Sequence, residues 1–498
     1  NADADEATQA AAYKKAAMAL EAKRKTAFLR AGGTPRDFDI AKLRCGFLAV
    51  KKSKSACIKN HDAVKALSAS ATADEKKAAR KAAKKKCLNN MKKSLMLAGG
   101  DVKDVARMQE RADIEKVRGA VTACVKEHSI MQALGSTASA DDVKTALKAA
   151  ADDCDASAKE AFEKEGGDAD DYAVMKMKSA RANLADKGQS CIQEFPDVIA
   201  LNTANCLEDA GSDADQRKAC IQARRAAFKK ADGHCIKEKE KAFAEAGGDT
   251  DLLFVEMENS QTLATADKME ACVKSHSDVA QLGTTSTDAQ KKAAYTTACT
   301  ACQKESKVDF ENSGGDSRDY ERKQAEASER AASDSLKTCV AEKKEDNEAG
   351  FNAATAKRDC LSNAKDTFMA TGGTMPKTKD TADMKDIDFE SAIAKSEVKA
   401  AGEKMASCMK AVDTSDKEKV EKKAGECLEQ AKLSVKNIGG DEHDVEGMVA
   451  AASLGAISAG NFRCLQLAGT NTTNIEKCKV ATEKTYKKTG GDPDKIEN

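Results

Sequence analysis

Eighteen cysteines and five histidines hold most of the reactive chemistry of this chain, and their spacing admits two readings. Cys57-x-x-x-His61, Cys124-x-x-x-His128 and Cys272-x-x-x-His276 set a thiol and an imidazole one helical turn apart, and Cys299-x-x-Cys302 has knuckle-like spacing. A closed zinc site takes four ligands, yet Cys191, Cys339, Cys408 and Cys464 have no histidine four residues on. The second reading is oxidation, because cysteines recurring in pairs at fixed addresses mark a disulfide framework. The spacing predicts Cys57–Cys87, Cys124–Cys154, Cys272–Cys302, Cys339–Cys360, Cys408–Cys427 and Cys464–Cys478. Cys191 and Cys206 lie 15 residues apart, as do Cys220 and Cys235, which predicts nested bridges with Cys191–Cys235 outside Cys206–Cys220. Cys45 and Cys299 remain: they meet only if the array curls, and are otherwise unpaired or intermolecular thiols. Closing a loop of about 15 to 30 residues stabilises by roughly 3 kcal/mol in the chain-entropy model. The three histidines then read as helix-end residues, suited to the negative pole of the helix dipole, and no metal site is assigned.

No catalytic constellation accompanies these residues. Serine-hydrolase elbows, Walker loops, dinucleotide fingerprints and His-Glu-x-x-His are absent from the sequence. Carboxylates are abundant but periodic, and are therefore expected at the surface. Gly-Gly-Asp-x-x-Asp recurs, but it lacks the alternating ligands of a calcium loop, and its acids would repel phosphate. No catalytic residue and no cofactor is expected, and the chain does not read as an enzyme.

The elements that position the cysteines follow from an internal repeat. A Gly-Gly pair occurs eight times, beginning at Gly32, Gly99, Gly166, Gly247, Gly314, Gly372, Gly439 and Gly490, at intervals of 67, 67, 81, 67, 58, 67 and 51 residues. Four positions before it stands Phe28, Leu95, Phe162, Phe243, Phe310, Phe368, Val435 or Tyr486. Twelve before it stands a cysteine in every unit but the first, and twenty-five after it stands another. Cys408 fits this register if about eleven residues are inserted near Thr374 to Lys385.

Glycine at that point ends a helix. The Asp that usually follows (Asp101, Asp168, Asp249, Asp316, Asp441, Asp492) starts the next one by accepting backbone N–H groups. Large residues on either side, such as Phe28 with Phe38 and Phe162 with Tyr172, are expected to clamp the joint. Between joints, apolar residues keep helical spacing through Val105, Met108, Ala112, Val117, Val121 and Cys124, and again from Val143 to Phe162. Each unit therefore predicts two helices joined by a polar loop.

The expected fold is all-α: a tandem array of about seven disulfide-stapled helical hairpins, on a repeat of about 67 residues, preceded by one helix. The leading helix is 1–33, and the repeats are 34–100, 101–167, 168–248 (long hairpin), 249–315, 316–373 (short loop), 374–440 (N-terminal insertion) and 441–491 (short), before a tail at 492–498. Known helical repeats are shorter, about 34 to 47 residues, and carry other signatures.

Composition narrows the function. The 82 basic and 82 acidic residues cancel and are interleaved, so no basic field exists to track nucleic acid. No apolar run is expected to reach the roughly 20 residues of a membrane span, the best candidate being Met448 to Ala459. The cysteine pairs imply an oxidising setting, extracellular after secretion or an organelle lumen. The leading expectation is a non-enzymatic extracellular structural protein, the subunit of a filament, appendage, coat or matrix. It would be built as a stiff rod and would partner itself head to tail, or other matrix proteins. The alternative is a secreted binding protein, either an adhesin or a ligand or pigment carrier in an organelle lumen; a carrier would need a cavity that an Ala-rich core hardly offers. Asn471-Thr472-Thr473 is the one N-glycosylation sequon, in the last hairpin loop.

Overall fold

In a computed structural model of the chain, the Gly-Gly pair ends a helix in one recurring way. The second glycine's N–H donates to the carbonyl five residues back, as in Gly248 to Phe243 (2.8 Å), Gly315 to Phe310 (3.0 Å) and Gly440 to Val435 (3.1 Å). The two glycines have separate causes. Gly247 takes φ +76°, a left-handed conformation that L side chains rarely adopt. Gly248 lies under the Phe243 ring, where an added Cβ would sit 2.6 Å from the ring carbons. Past the joint, the same ring meets the next helix: Phe162 packs on Tyr172 with centroids 5.9 Å apart, and Phe310 on Tyr320 at 5.8 Å.

The structure describes residues 20, 23–28, 30, 35–68, 70–97, 105–135, 138–164, 167, 171–203, 213–282, 286–312, 315, 319–346, 351–373, 389–409, 417–468 and 471–490. Unit 1 folds as α1 (Pro35–Asn60) and α2 (Ala73–Leu97). Unit 2 has α3 (Val105–Glu127), then a second helix broken at Cys154 into α4 (Ala140–Asp153) and α5 (Asp155–Lys164). Unit 3 repeats that break at Cys235, with α6 (Tyr172–Gln193), α7 (Ala214–His234) and α8 (Ile236–Glu245). Units 4 and 5 contribute α9 (Leu253–Ser275), α10 (Asp288–Asn312), α11 (Tyr320–Asp346) and α12 (Ala353–Ala370). Units 6 and 7 contribute α13 (Phe389–Met409), α14 (Lys417–Asn437), α15 (Val445–Ala468) and α16 (Thr472–Lys488). No strand occurs among the described residues. Most of the leading helix, the inserted segment near Thr374 and the tail lie outside them, although 23–28 are helical. Phe368 packs on Phe389 at 5.9 Å as its counterparts pack on Tyr172 and Tyr320, so the helical register resumes at Phe389.

The arrangement of units differs from the rod that tandem hairpins suggest. Each first helix lies along the second helix of its own unit and against the first helix of the next. It also reaches the first helix three units away: α9 packs on α1, α11 on α3, α13 on α6 and α15 on α9. A path that meets itself every third unit is a superhelix with about three units per turn, first helices inside and second helices outside. Small residues permit this closeness. Ala112, Ser179, Ser260, Ala327 and Ser396 share one register on successive inner helices, and none is more than 6% exposed. Cys45 has the same register on α1 and is exposed.

Candidate functional site: stapled hairpins around a charged cavity

Among the described residues, seven cysteine pairs stand at disulfide distance, each between the first and second helices of one unit. Cys57–Cys87, Cys124–Cys154 and Cys272–Cys302 each close 30 residues, Cys191–Cys235 closes 44, and Cys339–Cys360 closes 21. Cys408–Cys427 and Cys464–Cys478 close 19 and 14. Their Cα atoms are 5.6–5.9 Å apart, within the range the bond requires. Cys220 is also disulfide-bonded; Cys206, its expected partner, lies outside the described residues. Cys45 and Cys299 do not come together. Cys299 is buried, with its thiol donating to the Met369 carbonyl at 3.3 Å. Bridges of this number are compatible with an oxidising environment.

The histidines stand where a long helix ends and a one-turn helix begins: their backbone N–H groups donate to Ile58, Val125 and Val273 of the preceding helix, and His276 is the C-cap of α9 as well as the N-cap of the next turn. His61, His128 and His276 each precede a one-turn helix and accept its backbone N–H through Nδ1, at 3.2, 3.3 and 3.4 Å. Among the described residues, no three His, Cys, Asp or Glu side chains gather where they would hold a metal.

The expectation that the carboxylates are superficial needs correcting. The inner helices bring charges from units 2 to 7 into one buried network. Lys178 on α6 reaches Glu110 on α3 at 2.5 Å and Asp334 on α11 at 3.9 Å. Asp334 in turn holds Lys399 on α13 at 2.5 Å, and Glu403 on α13 holds Lys337 at 3.4 Å. Arg330 donates to Asn259 on α9 at 2.7 Å. Arg181 clasps Glu256 with both oxygens engaged. A second branch runs from Lys323 through Glu258, at 2.5 Å, to Arg463, which binds Asp232. Periodicity hid this network because the superhelix turns the periodic polar face of each inner helix toward the axis rather than toward water.

Electrostatics in the network follow from burial and neighbours. Burial opposes ionisation of Asp334, but Lys399 and Lys178 outweigh it and hold the carboxyl at about 2. Burial opposes it at Glu403 as well, where Lys399, Lys337 and Lys178 keep the carboxyl well below its usual range. At Lys399 burial prevails over Asp334 and Glu403, and the ammonium falls to about 8. Such a network adds little net stability over an apolar core, but removing one member strands its partner at about 3–5 kcal/mol.

The network lines an open cavity of about 420 Å³ between α6, α9, α11, α13 and α15. Five basic side chains line it, Arg181, Lys323, Arg330, Lys395 and Lys399. Five acidic ones face them, Glu256, Glu258, Glu326, Glu329 and Glu403. The α15 wall is apolar, with Ala451, Ala452, Gly455, Ala456 and Ala459. This space is larger than an Ala-rich sequence leads one to expect. One sequence signal pointed to it. Arg330 and Lys399 share a register in consecutive units once the insertion is discounted, and Asp334 and Glu403 follow each by four residues.

α15 is the most apolar of the long helices. Its Val445–Leu465 stretch of 21 residues is long and apolar enough to cross a membrane, which corrects the shorter limit set at Met448 to Ala459. Comparison of the chain with protein families, with characterised proteins and with solved structures finds no match.

Proposed function

We propose that this chain is a non-enzymatic, secreted structural protein that joins copies of itself end to end into an extracellular filament, coat or matrix. The observation that carries this reading is the surface of α15. At the corresponding place in unit 3, Arg181 is 3% exposed and bound to Glu256 of the following unit. In unit 7 that place is taken by Leu454, 58% exposed, with exposed Phe462 two turns on. An apolar face at a position that the repeat otherwise covers with a neighbouring unit is a self-association surface. The occupant is unit 1 of another copy, where α1 displays exposed Leu48 and the exposed Cys45 thiol. Stacking of unit on unit would continue the superhelix across the junction, and Cys45 is placed to lock it covalently.

The disulfide framework supports secretion, and Asn471 is compatible with a glycan. It is exposed and caps α16 by accepting from the Asn474 N–H at 3.1 Å through Oδ1, which leaves Nδ2 for the sugar. Sedimentation of the intact chain tests the proposal. Concentration-dependent growth into long species is expected, and Leu454→Glu with Phe462→Glu should hold the chain as a folded monomer. Wild-type protein that stays monomeric at high concentration, or a double variant that assembles equally well, contradicts it.

A further inference from the structure

We infer that the outer face of unit 1 binds an anionic polysaccharide, a sugar chain bearing carboxylate or sulfate groups. Charge is balanced over the whole chain but not within this unit. Residues 34–100 hold 17 basic and 5 acidic side chains, and the rest of the chain 65 and 77. α2 alone has nine lysines and arginines against Asp74 and Glu75. Neighbours engage some of these: Lys54 pairs with Asp113, Arg80 with Glu163 and Lys92 with Glu342. Lys52 and Lys59 on α1, and Lys86 and Lys93 on α2, are exposed and make no ion pair among the described residues. Like charge that the fold leaves unneutralised raises a positive potential over that face.

The four lysines flank an open groove of about 680 Å³ between α1 and α2. Lys93 lines it with Ser53, Asn60, His61, Asn90 and Ser94, and Asp62 is its one acidic lining residue. Lys52 and Lys59 stand one helical turn to either side of Ala56 in the lining, and Lys86 one turn before Asn90. Hydroxyls and amides both donate and accept, as sugar hydroxyls require. Unit 2 shows what the lysines replace. There the His128 Nε2 stands 3.3 Å from the Asp153 carboxylate. The place of Asp153, one residue before the stapling cysteine, is Lys86 in unit 1, and the place of Glu160 is Lys93. His61 uses Nδ1 on the Ala63 N–H, and its Nε2 has no carboxylate among the described residues. A carboxylate or sulfate from outside takes that place, beside Lys86. No lining residue is an aromatic on which nucleic-acid bases would stack, and none is a large apolar side chain that would enter a bilayer. A charged sugar chain lying along the groove is the polyanion that fits.

This inference rests on the extracellular reading of the chain but not on its self-association, so binding is measured on the intact chain and on Leu454→Glu with Phe462→Glu. Anisotropy of labelled heparin and polygalacturonate oligosaccharides is the readout, with dextran as the uncharged control. Saturable binding of at least one anionic sugar is expected in both chains, and none of dextran. Lys86→Asp with Lys93→Glu installs the charges of unit 2 at exposed positions and should weaken binding at least tenfold. Lys148→Glu with Lys159→Glu makes the same change in net charge on exposed residues of unit 2 and should leave it intact. Asn60→Ala with Asn90→Ala keeps every charge and should also weaken it. Absence of binding by either sugar overturns the inference. So do equal losses in the two lysine pairs, undiminished binding without the two amides, or equally tight binding of duplex DNA or phosphatidylserine vesicles. Loss of assembly with sugar binding intact would count against the filament alone.

Discussion

Gly248 has no room for a methyl group, whereas Gly425 on α14 faces open space. Gly248→Ala is therefore expected to cost about 1–3 kcal/mol in urea unfolding, the usual penalty of overpacking. Gly425→Ala should gain up to about 1 kcal/mol from helix propensity. Equal effects would separate the Gly-Gly landmark from the Phe243 ring. A second prediction concerns pH. Asp334 and Glu403 have carboxyls held below their unfolded values, so their stabilisation is complete above the ordinary carboxylate range and is lost as pH falls. For Asp334 the window runs from 3.8 down to about 2 and is worth about 2 kcal/mol. Lys399 behaves oppositely: held at about 8 against 10.5 unfolded, it costs stability at neutral pH, and that cost fades as pH rises between those values. Melting temperature against pH should show an acid limb that Asp334→Asn flattens; an unchanged limb contradicts the burial of this pair. The glycines were legible in the sequence because a helix stop is local chemistry. Glu403 was not, since Lys399 and Glu403 four residues apart look like any solvated helical pair until the superhelix folds them inward.

Among the elements, the hairpins and their staples were the most legible, because a cysteine at fixed distance from a helix stop fixes both helix length and partner. The breaks at Cys154 and Cys235 were not, and neither were the one-turn helices after His61, His128 and His276. A local hydrogen bond to Nδ1 decides those, and the cysteine–histidine spacing alone gives no hint of it. The staples make a direct prediction. Replacing Cys124 and Cys154 by alanine should lower stability by roughly 3 kcal/mol. Because repeat arrays open locally, the loss should appear as faster amide exchange in α3, α4 and α5 and leave units 5 to 7 unchanged. Uniform acceleration along the chain would mean that the array unfolds as one body and that its units have little independence. Non-reducing peptide mapping should recover Cys124–Cys154 and Cys272–Cys302, and alkylation of these four thiols in native protein would contradict the framework.

At the scale of the molecule, sequence periodicity defines units but not the path they take. The angle between units depends on how closely the inner helices cross, which small residues such as Ser179, Ser260 and Ala327 set only in the folded context. The superhelix is what makes the other claims possible: it buries the charges, leaves the cavity, and turns the apolar face of α15 outward. Zero-length carbodiimide cross-linking of dilute monomer, read by peptide mass spectrometry, addresses it most directly. Lys92 of unit 1 lies 3.4 Å from Glu342 of unit 5, and Lys484 of unit 7 lies 3.5 Å from Asp251 of unit 4. Both pairs should join within single chains. Cross-links confined to neighbouring units, with neither of these two recovered, would mean that the hairpins form an extended rod and that the charged cavity does not exist.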